Sequence, residues 1–430
     1  MEALSHSNTI EIGSDLQRSF IKRANSKLFD FFFIGFVLSA PILVYGVEVF
    51  GFSLRLGRLF LVALFPIVFF RICKRPNVIK RDWFLIFAVF PFFIYSMISM
   101  CWSSGDPGMY SRFGGLFEIF FVYTIMITAD LDAVRFYNFV KYYTLSSIIP
   151  LGFSCWQLAN NIYAFSSENI PFQSFIIAGK YEVLESKYFF AGNGFSRVSS
   201  TFAEPVIFSN FLVSVLLLSF ILHARIRLYK SGLLVLRILL LTTILLAVSK
   251  SAILSVIIGT LAISFVNKKY RVLQVYLTAF FLIALGIVSY FDLFSIFERL
   301  FEDSGHYEVL IETLNQLSEI NYVFGEGLDS IMGGSTHRFL LSRIFEAGFF
   351  GLLFAMSASF LPIVIYFSRA KTENVQAIKA VCFGTIVAVF FGLQSYDFFI
   401  HGFTWICIGA VMSFYYSEKY NRLRKTLSFN

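Results

Sequence analysis

The sequence predicts an all-α polytopic membrane protein with about 12 transmembrane helices and two long loops on one side of the membrane. Hydrophobic residues make up 57% of the 430 residues and charged residues only 14%, whereas soluble proteins have about 25% charged residues. Apolar stretches close to the length of about 20 residues that crosses a bilayer recur along the chain. Basic residues are concentrated in alternate connections between these stretches, as the positive-inside rule requires.

Twelve apolar stretches fit membrane-spanning helices. They are residues 29–50, 54–71, 83–102, 114–129, 136–159, 205–223, 232–248, 250–266, 272–291, 343–367, 378–395 and 399–416. Two stretches are weaker than the rest, because 54–71 begins with Arg55 and Arg58, and 114–129 is short and contains Glu118. A charge inside a membrane is costly unless it has a partner, so Glu118 has either a functional or a helix-packing role.

The distribution of basic residues places both termini on the inner side. In this orientation the inner segments hold 25 of the 35 Lys and Arg residues, so the net charge of +8 reflects topology and does not indicate a nucleic-acid partner. The first stretch follows a polar tail and lacks a small-residue cleavage site, which predicts a retained signal-anchor. The predicted segments are an inner tail (1–28), helices one to five (29–159), an outer loop (160–204), helices six to nine (205–291), a large outer loop (292–342), helices ten to twelve (343–416) and an inner tail (417–430).

The two long outer loops contain most of the residues that can carry chemistry. The first loop ends with Arg197 and Glu204, directly before an apolar span. The second contains His306, and its final part contains His337 and Arg338. Histidine exchanges a proton near neutral pH and can act as a general base. Structural roles are the alternatives, because a histidine can cap a helix and an arginine can snorkel to lipid head groups.

Two further cations lie at the ends of predicted spans. Lys250 stands between Ser249 and Ser251 in an interruption of a long apolar run, and Arg343 begins the span after the large loop. Lys and Arg that are not grouped with metal-binding carboxylates favour direct binding of a phosphorylated lipid, although a lysine in a turn can also simply reach water.

Asp130-Leu131-Asp132 has an Asp-x-Asp form but lies in a short inner connection. Without a zinc motif, a nucleotide-binding loop or metal spacing among the five cysteines, the sequence predicts no metal and no cofactor.

Five short motifs lie in order between about residues 100 and 355. They are Trp102-Ser103 followed by Asp106-Pro107, Arg197 to Pro205, Ser249-Lys250-Ser251, Phe324-Gly325-Glu326-Gly327, and His337 followed by Glu346-Ala347-Gly348 and Gly351. In order and spacing they resemble the O-antigen polymerase and O-antigen ligase superfamily (Wzy and WaaL types), which are polytopic glycosyltransferases of bacterial surface polysaccharide. Two residues depart from the family pattern, because Lys250 replaces an arginine and His306 stands where an arginine is common.

The resemblance implies a GT-C-type glycosyltransferase of the bacterial inner membrane, with periplasmic long loops and cytoplasmic termini. Its donor would be a glycan on undecaprenyl diphosphate, transferred without a metal, and a chain-length regulator protein would be a further partner beside the lipid bilayer. The resemblance implies that His337 is the base and that Arg197 binds the diphosphate. The further candidates are Glu204 for catalysis and Lys250, Arg338, Arg343 and His306 for diphosphate binding.

Three functions remain open from the sequence. A polysaccharide repeat-unit polymerase is favoured, because Glu204-Pro205 stands where ligases more often have Pro-Asn. The first alternative is an O-antigen ligase that transfers the polymer to lipid A-core. The second is a flippase or transporter of the lipid-linked oligosaccharide, which should instead show matched halves with charges or broken helices at mid-span.

Overall fold

A computed structural model describes thirteen ranges of the chain, which are residues 27–42, 46–49, 52–74, 89–103, 108–129, 131–160, 198–202, 205–224, 230–267, 323–327, 339–366, 373–395 and 402–427. The helices in these ranges are residues 27–39 (α1), Leu56–Lys74 (α2), 89–98 (α3), Gly108–Thr128 (α4), Ala133–Ser146 (α5), Ile148–Ala159 (α6), Pro205–Ser219 (α7), Lys230–Leu246 (α8), Lys250–Asn267 (α9), Phe339–Tyr366 (α10), Glu373–Ser395 (α11) and Gly402–Leu427 (α12). Short 3-10 turns extend α3 over Ser99–Trp102 and α7 over Phe220–Ala224.

Four helices in the described ranges are long and apolar enough to cross a membrane, and they confirm the membrane class. They contain Leu56–Cys73, Pro205–Leu222, Ser342–Ile363 and Gln376–Leu393. Shorter apolar helices cover Val89–Trp102, Phe113–Thr128, Ser231–Leu246 and Lys250–Val266. The predicted stretch 272–291 lies outside the described residues.

The first predicted stretch, 29–50, extends the helix too far. The helix ends at residue 39, and an antiparallel hairpin follows, formed by β1 (Gly46–Val49) and β2 (Phe52–Arg55). Pro41 has no N–H to donate and its ring clashes with the preceding turn, so a helix does not continue through it. Each strand is only four residues long, and β1 lies inside the predicted apolar stretch, so average hydrophobicity did not separate it from the helix.

The fifth predicted stretch, 136–159, is two helices that meet at Ser147. The Ser146 and Ser147 hydroxyls donate to the carbonyls of Tyr143 and Thr144, each at 2.7 Å. Pro150 removes a backbone donor just after this point. Serine side chains that bond back to the helix and a nearby proline together break its regularity.

Helix α7 is the central helix of the described bundle. Every one of its residues except Val206 is buried, and it packs against α5, α8, α9 and α11. A helix that is apolar on all sides belongs in the interior of a bundle.

Small residues allow the backbones of α9 and α11 to approach each other closely. A Cβ on Gly259 would lie 3.1 Å from the Gly384 carbonyl oxygen, and a Cβ on Gly384 would lie 2.5 Å from the Gly259 oxygen. This backbone-to-backbone approach is the usual way in which helices associate in a membrane.

Candidate functional site

Three of the motifs meet at one place, which we call the junction. It consists of residues 323–327, Trp102-Ser103 and residues 343–348 of α10. The Trp102 indole Nε1 donates to the Phe324 carbonyl oxygen at 3.1 Å, across 222 positions of sequence. The Glu326 N–H donates to the Phe345 oxygen at 2.7 Å and the Gly327 N–H to the Glu346 oxygen at 3.0 Å. The end of one predicted outer loop is therefore docked on two helices.

The helix at the junction is broken so that the loop can dock. Gly348, inside α10, has φ 60° and ψ −156°, which is not helical. A break leaves carbonyls of the preceding turn to be satisfied by other donors, and the loop N–H groups provide them.

The loop itself needs glycine at two positions. Gly325 has φ 71° and Gly327 has φ 96°. A Cβ on Gly325 would lie 2.6 Å from the backbone nitrogens of Ala347 and Gly348. Both the backbone conformation and the close approach therefore exclude other residues there.

A buried ion pair lies beside the break in α10. Arg343 Nη1 is 2.5 Å from Glu346 Oε2, and both side chains are only 1% exposed. Arg343 Nη2 also donates to Ser342 Oγ at 3.1 Å. Spacing of i, i+3 places the two residues on one face of the helix. The predicted role of Arg343 in diphosphate binding stays a prediction, and in the described arrangement its charge faces Glu346.

Glu326 is a candidate that the sequence analysis did not single out as a site residue. It lies between the two left-handed glycines of the junction and its side chain is exposed. Its backbone is fixed by the hydrogen bond to Phe345, and a carboxylate is one of the groups that can act as a general base. In the sequence, the feature that could have identified Glu326 was a carboxylate between two glycines in a loop.

The segment that follows Arg197 is buried and fixed. The Ser200 N–H donates to Gln157 Oε1 at 2.7 Å, and its hydroxyl donates to the Pro150 oxygen at 2.6 Å. The Thr201 hydroxyl donates to the Pro41 oxygen at 2.8 Å. Residues 198–202 therefore join the ends of α1 and α6 to the start of α7.

The turn between α8 and α9 makes a polar contact with α7. Val248 has φ 48°, unusual for a β-branched residue, and Ser249 and Ser251 are buried with their hydroxyls 3.1 Å apart. Asn210 Nδ2 of α7 donates to Ser251 Oγ at 3.1 Å. Lys250, the first residue of α9, is exposed between these two serines.

In the part of the chain that the structure describes, left-handed backbone occurs only in these motifs or next to them. Within the described ranges, the residues with positive φ are Ser200, Val248, Gly325, Gly327 and Gly348. Each lies in, or directly beside, one of the five motifs. For the two that are not glycine, Ser200 and Val248, this conformation costs about 1–3 kcal/mol. Such strain persists only where the surrounding structure enforces it, and it clusters at functional sites.

The structure places only part of the predicted site. Lys250 is the first residue of α9 and Arg343 lies in the junction, so the two cations belong to different contacts. The other predicted site residues lie outside the described residues, namely His337, Glu204, Arg197, Arg338 and His306.

Asp132 of the Asp-x-Asp sequence has a structural role. Its carboxylate accepts hydrogen bonds from the N–H groups of Val134 at 3.1 Å and Arg135 at 2.8 Å. This is the N-cap of α5, and acidic residues are favoured at that position.

Composition and apolar helices define the chain as a helical membrane protein. No known protein family matches the chain, and no curated protein matches it either.

Proposed function

We propose that the protein is a membrane-embedded, metal-independent glycosyltransferase of the GT-C type that polymerises repeat units of a bacterial surface polysaccharide. The observation that carries the proposal is the junction. Three motifs of the family pattern, far apart in sequence, contact one another there through a broken helix, left-handed glycines and a buried ion pair. A fully buried ion pair beside a broken helix is costly in a membrane protein and supports a catalytic rather than a packing role.

In the proposed arrangement the chain crosses the bacterial inner membrane twelve times with both termini in the cytoplasm. Hydrogen bonds between elements support the alternation of sides. The bond from Thr201 to Pro41 joins the predicted outer loop 160–204 to the outer half of the first predicted stretch, 29–50. The bond from Gln376 Nε2 to the Val266 oxygen, at 3.1 Å, joins two predicted inner ends. An error in the alternation would have placed such partners at opposite faces.

The proposed reaction moves a glycan from one lipid carrier to another. The acceptor hydroxyl oxygen of a lipid-linked unit attacks C1 of the donor sugar and forms the new glycosidic bond. The bond between C1 and the diphosphate oxygen breaks, and its electron pair leaves with undecaprenyl diphosphate. The acceptor proton passes to a base, for which His337 is proposed, with Glu204 as a second catalytic candidate.

The second requirement is stabilisation of the charge that develops on the diphosphate. Arg197, Lys250, Arg338 and His306 are proposed for this role, since cations aimed at a leaving oxyanion are most effective in a site that excludes water. Arg343 would take part only by exchanging Glu346 for phosphate. Its first role in this proposal is to hold Glu346 and the broken end of α10 in place.

Deletion of the gene in the source bacterium tests the proposal against its alternatives. Where the glycan is the O-antigen, a polymerase mutant leaves core carrying a single repeat on a lipopolysaccharide gel. A ligase mutant leaves bare core with polymer still on undecaprenyl diphosphate, and a flippase mutant accumulates units inside the cell. An unchanged long-chain ladder, in a strain without a duplicate gene, would contradict all three functions.

Replacement of the proposed base gives the sharpest test of the mechanism. His337→Ala should abolish polymerisation, because no group would then take the acceptor proton, while the protein still inserts into the membrane. The measurement is the ladder of the deletion strain complemented with the variant, with immunodetection of the protein in membranes. Chain length equal to that of the wild type would remove His337 from the mechanism.

A further inference from the structure

A cavity of about 140 Å³ lies between α1 and α5, at the end of α1 away from Pro41. From α1 it is lined by Asp30, Phe33 and Val37, and from α5 by Arg135 and Phe139, among others. Spacings of three and four residues place each set on one helix face. By the proposed orientation this is the cytoplasmic end of the bundle, so the cavity is separate from the junction.

The two helices present the same gradient of polarity. The charged residues come first on each helix, with Asp30 in the opening turn of α1 and Arg135 in the opening turn of α5. The apolar residues Phe33, Val37 and Phe139 follow one to two turns further along. The cavity wall is therefore charged at the helix starts and mostly apolar further into the bundle, where Asn138 and Tyr142 of α5 are its polar residues.

Opposite charges share this wall without pairing. Within the described ranges, neither Asp30 nor Arg135 forms an ion pair through its side chain, although both line the same cavity. A second guanidinium stands close by, since Arg71 lies 3.7 Å from the centroid of the Phe29 ring, another wall residue. Charged groups half-buried among apolar residues are costly unless a partner satisfies them.

We infer that this cavity binds one phospholipid with a phosphoethanolamine head group. Its phosphate would lie at Arg135, because guanidinium matches phosphate in charge and geometry. Its primary ammonium would donate hydrogen bonds to Asp30. The cavity is about as large as the roughly 150 Å³ cavity that accepts benzene, so it takes the head group or the first part of a chain, with the remaining methylenes passing along Phe33 and Val37 into the membrane.

The head group follows from having both charges in one wall. An anionic phosphatidylglycerol would satisfy the arginine but brings no cation to Asp30. Phosphatidylcholine brings a cation, but its quaternary ammonium has no N–H to donate. Only the primary ammonium makes a charge-assisted hydrogen bond with the carboxylate, and such bonds are about twice as strong as neutral ones.

Native mass spectrometry of the full-length protein in detergent tests the inference. Phosphatidylethanolamine, phosphatidylglycerol and phosphatidylcholine with identical acyl chains are added separately at equal concentration. We expect one tightly retained phosphatidylethanolamine, bound about tenfold more tightly than phosphatidylcholine. Equal retention of the three lipids by the wild type would overturn the inference, independently of any variant. Glycerophosphoethanolamine, which lacks acyl chains, should compete weakly, and competition equal to that of the lipid would show a site for a soluble ligand instead.

Matched variants locate the site. Arg135→Gln should weaken retention of phosphatidylethanolamine about tenfold, whereas Asp30→Asn should remove the preference over phosphatidylglycerol and leave phosphatidylglycerol retention unchanged. Lys141→Gln, which changes an exposed cation of the same helix outside the cavity wall, should retain lipid like the wild type. Wild-type lipid retention and selectivity in both the Arg135 and Asp30 variants would place the lipid elsewhere and contradict the proposal.

Discussion

Two Arg–Glu pairs in the bundle have the same chemistry and different surroundings. Arg58 of α2 and Glu118 of α4 pair at 2.7 Å with side chains 30% and 28% exposed, whereas Arg343 and Glu346 pair at 2.5 Å within α10 with both side chains 1% exposed. The first pair joins two helices near the hairpin. The second lies in the junction, beside the break at Gly348.

The difference in burial separates a pair that mainly neutralises its two charges from a pair that positions other parts of the molecule. Arg58 and Glu118 satisfy one another where two apolar helices each carry a charge. A fully buried pair is different, because replacing such a pair by apolar residues is often neutral or stabilising by about 1–4 kcal/mol. The presence of Arg343 and Glu346 in an apolar helix is therefore better explained by what they position than by stability.

The largest effect is expected from breaking the buried pair. Glu346→Gln leaves the Arg343 charge buried without its carboxylate, which costs about 3–5 kcal/mol of unfolding free energy. Thermal unfolding of the purified variant measures the stability, and the polysaccharide ladder of the complemented deletion strain, which we expect to be lost, measures the activity. A normal ladder with normal stability would contradict the importance of the pair.

Replacing both partners separates position from stability. In Arg343→Met/Glu346→Leu no buried charge is left, so thermal stability should return to about the wild-type value or above it. The ladder should remain absent if the pair positions the junction for chemistry. A double variant that polymerises like the wild type would assign the pair a purely structural role.

The next effect is expected from the loop glycine that allows docking. Gly325→Ala places a Cβ at a left-handed residue and against the backbone of α10, which should cost about 1–3 kcal/mol and shorten or abolish the ladder. Gly152→Ala in α6 is the matched control, because no atom lies within 4 Å of its Cβ and alanine favours a helix by about 1 kcal/mol. Equal behaviour of the two variants would argue against a defined loop conformation.

A smaller effect is expected at the tryptophan that holds the loop. Trp102→Phe keeps the ring beside Phe324, whose centroid lies 5.9 Å away, and removes the indole donor at a cost of about 1 kcal/mol. Polymerisation should become slower without being lost. Comparison of ladder length with that of Trp156→Phe, in α6 and away from the junction, gives the measurement, and equal ladders would remove the bond from the account.

The smallest effect is expected at the exposed pair. Glu118→Gln should change the unfolding free energy by about 0.2–1 kcal/mol, because solvent and head groups can reach the remaining arginine. The ladder should be unchanged. Loss of polymerisation in Glu118→Gln, with the protein present in the membrane, would erase the contrast between the two pairs.

The helices could be predicted from the sequence, and their contacts could not. Long apolar stretches fix the positions of α2, α7, α10 and α11, because lipid accepts only helices with satisfied backbone groups. The hairpin at Gly46–Arg55 was missed, since strands of four residues are too short to be told from a helix segment by their pattern alone. Charges at Glu118 and Glu346 could be flagged as needing partners, but which arginine pairs with each depends on packing.

The candidate site was predictable in its motifs and not in its assembly. Glycines around Glu326 indicate a break in the chain, but not that the loop lands on α10. The hydrogen bonds that dock it use backbone N–H groups of Glu326 and Gly327, and backbone donors leave no mark in a sequence. Trp102 was visible only as part of a motif, and its bond to Phe324 required the fold.

The most direct test of the central claim is reconstitution with a single substrate. The purified protein is placed in liposomes with the undecaprenyl-diphosphate-linked unit that accumulates in the deletion strain, without metal and without lipid A-core. The proposal predicts a ladder of lipid-linked glycans at multiples of one repeat, together with released undecaprenyl diphosphate, and neither product with Glu346→Gln. Only single-repeat glycans after incubation with the wild-type protein would contradict the proposed polymerase.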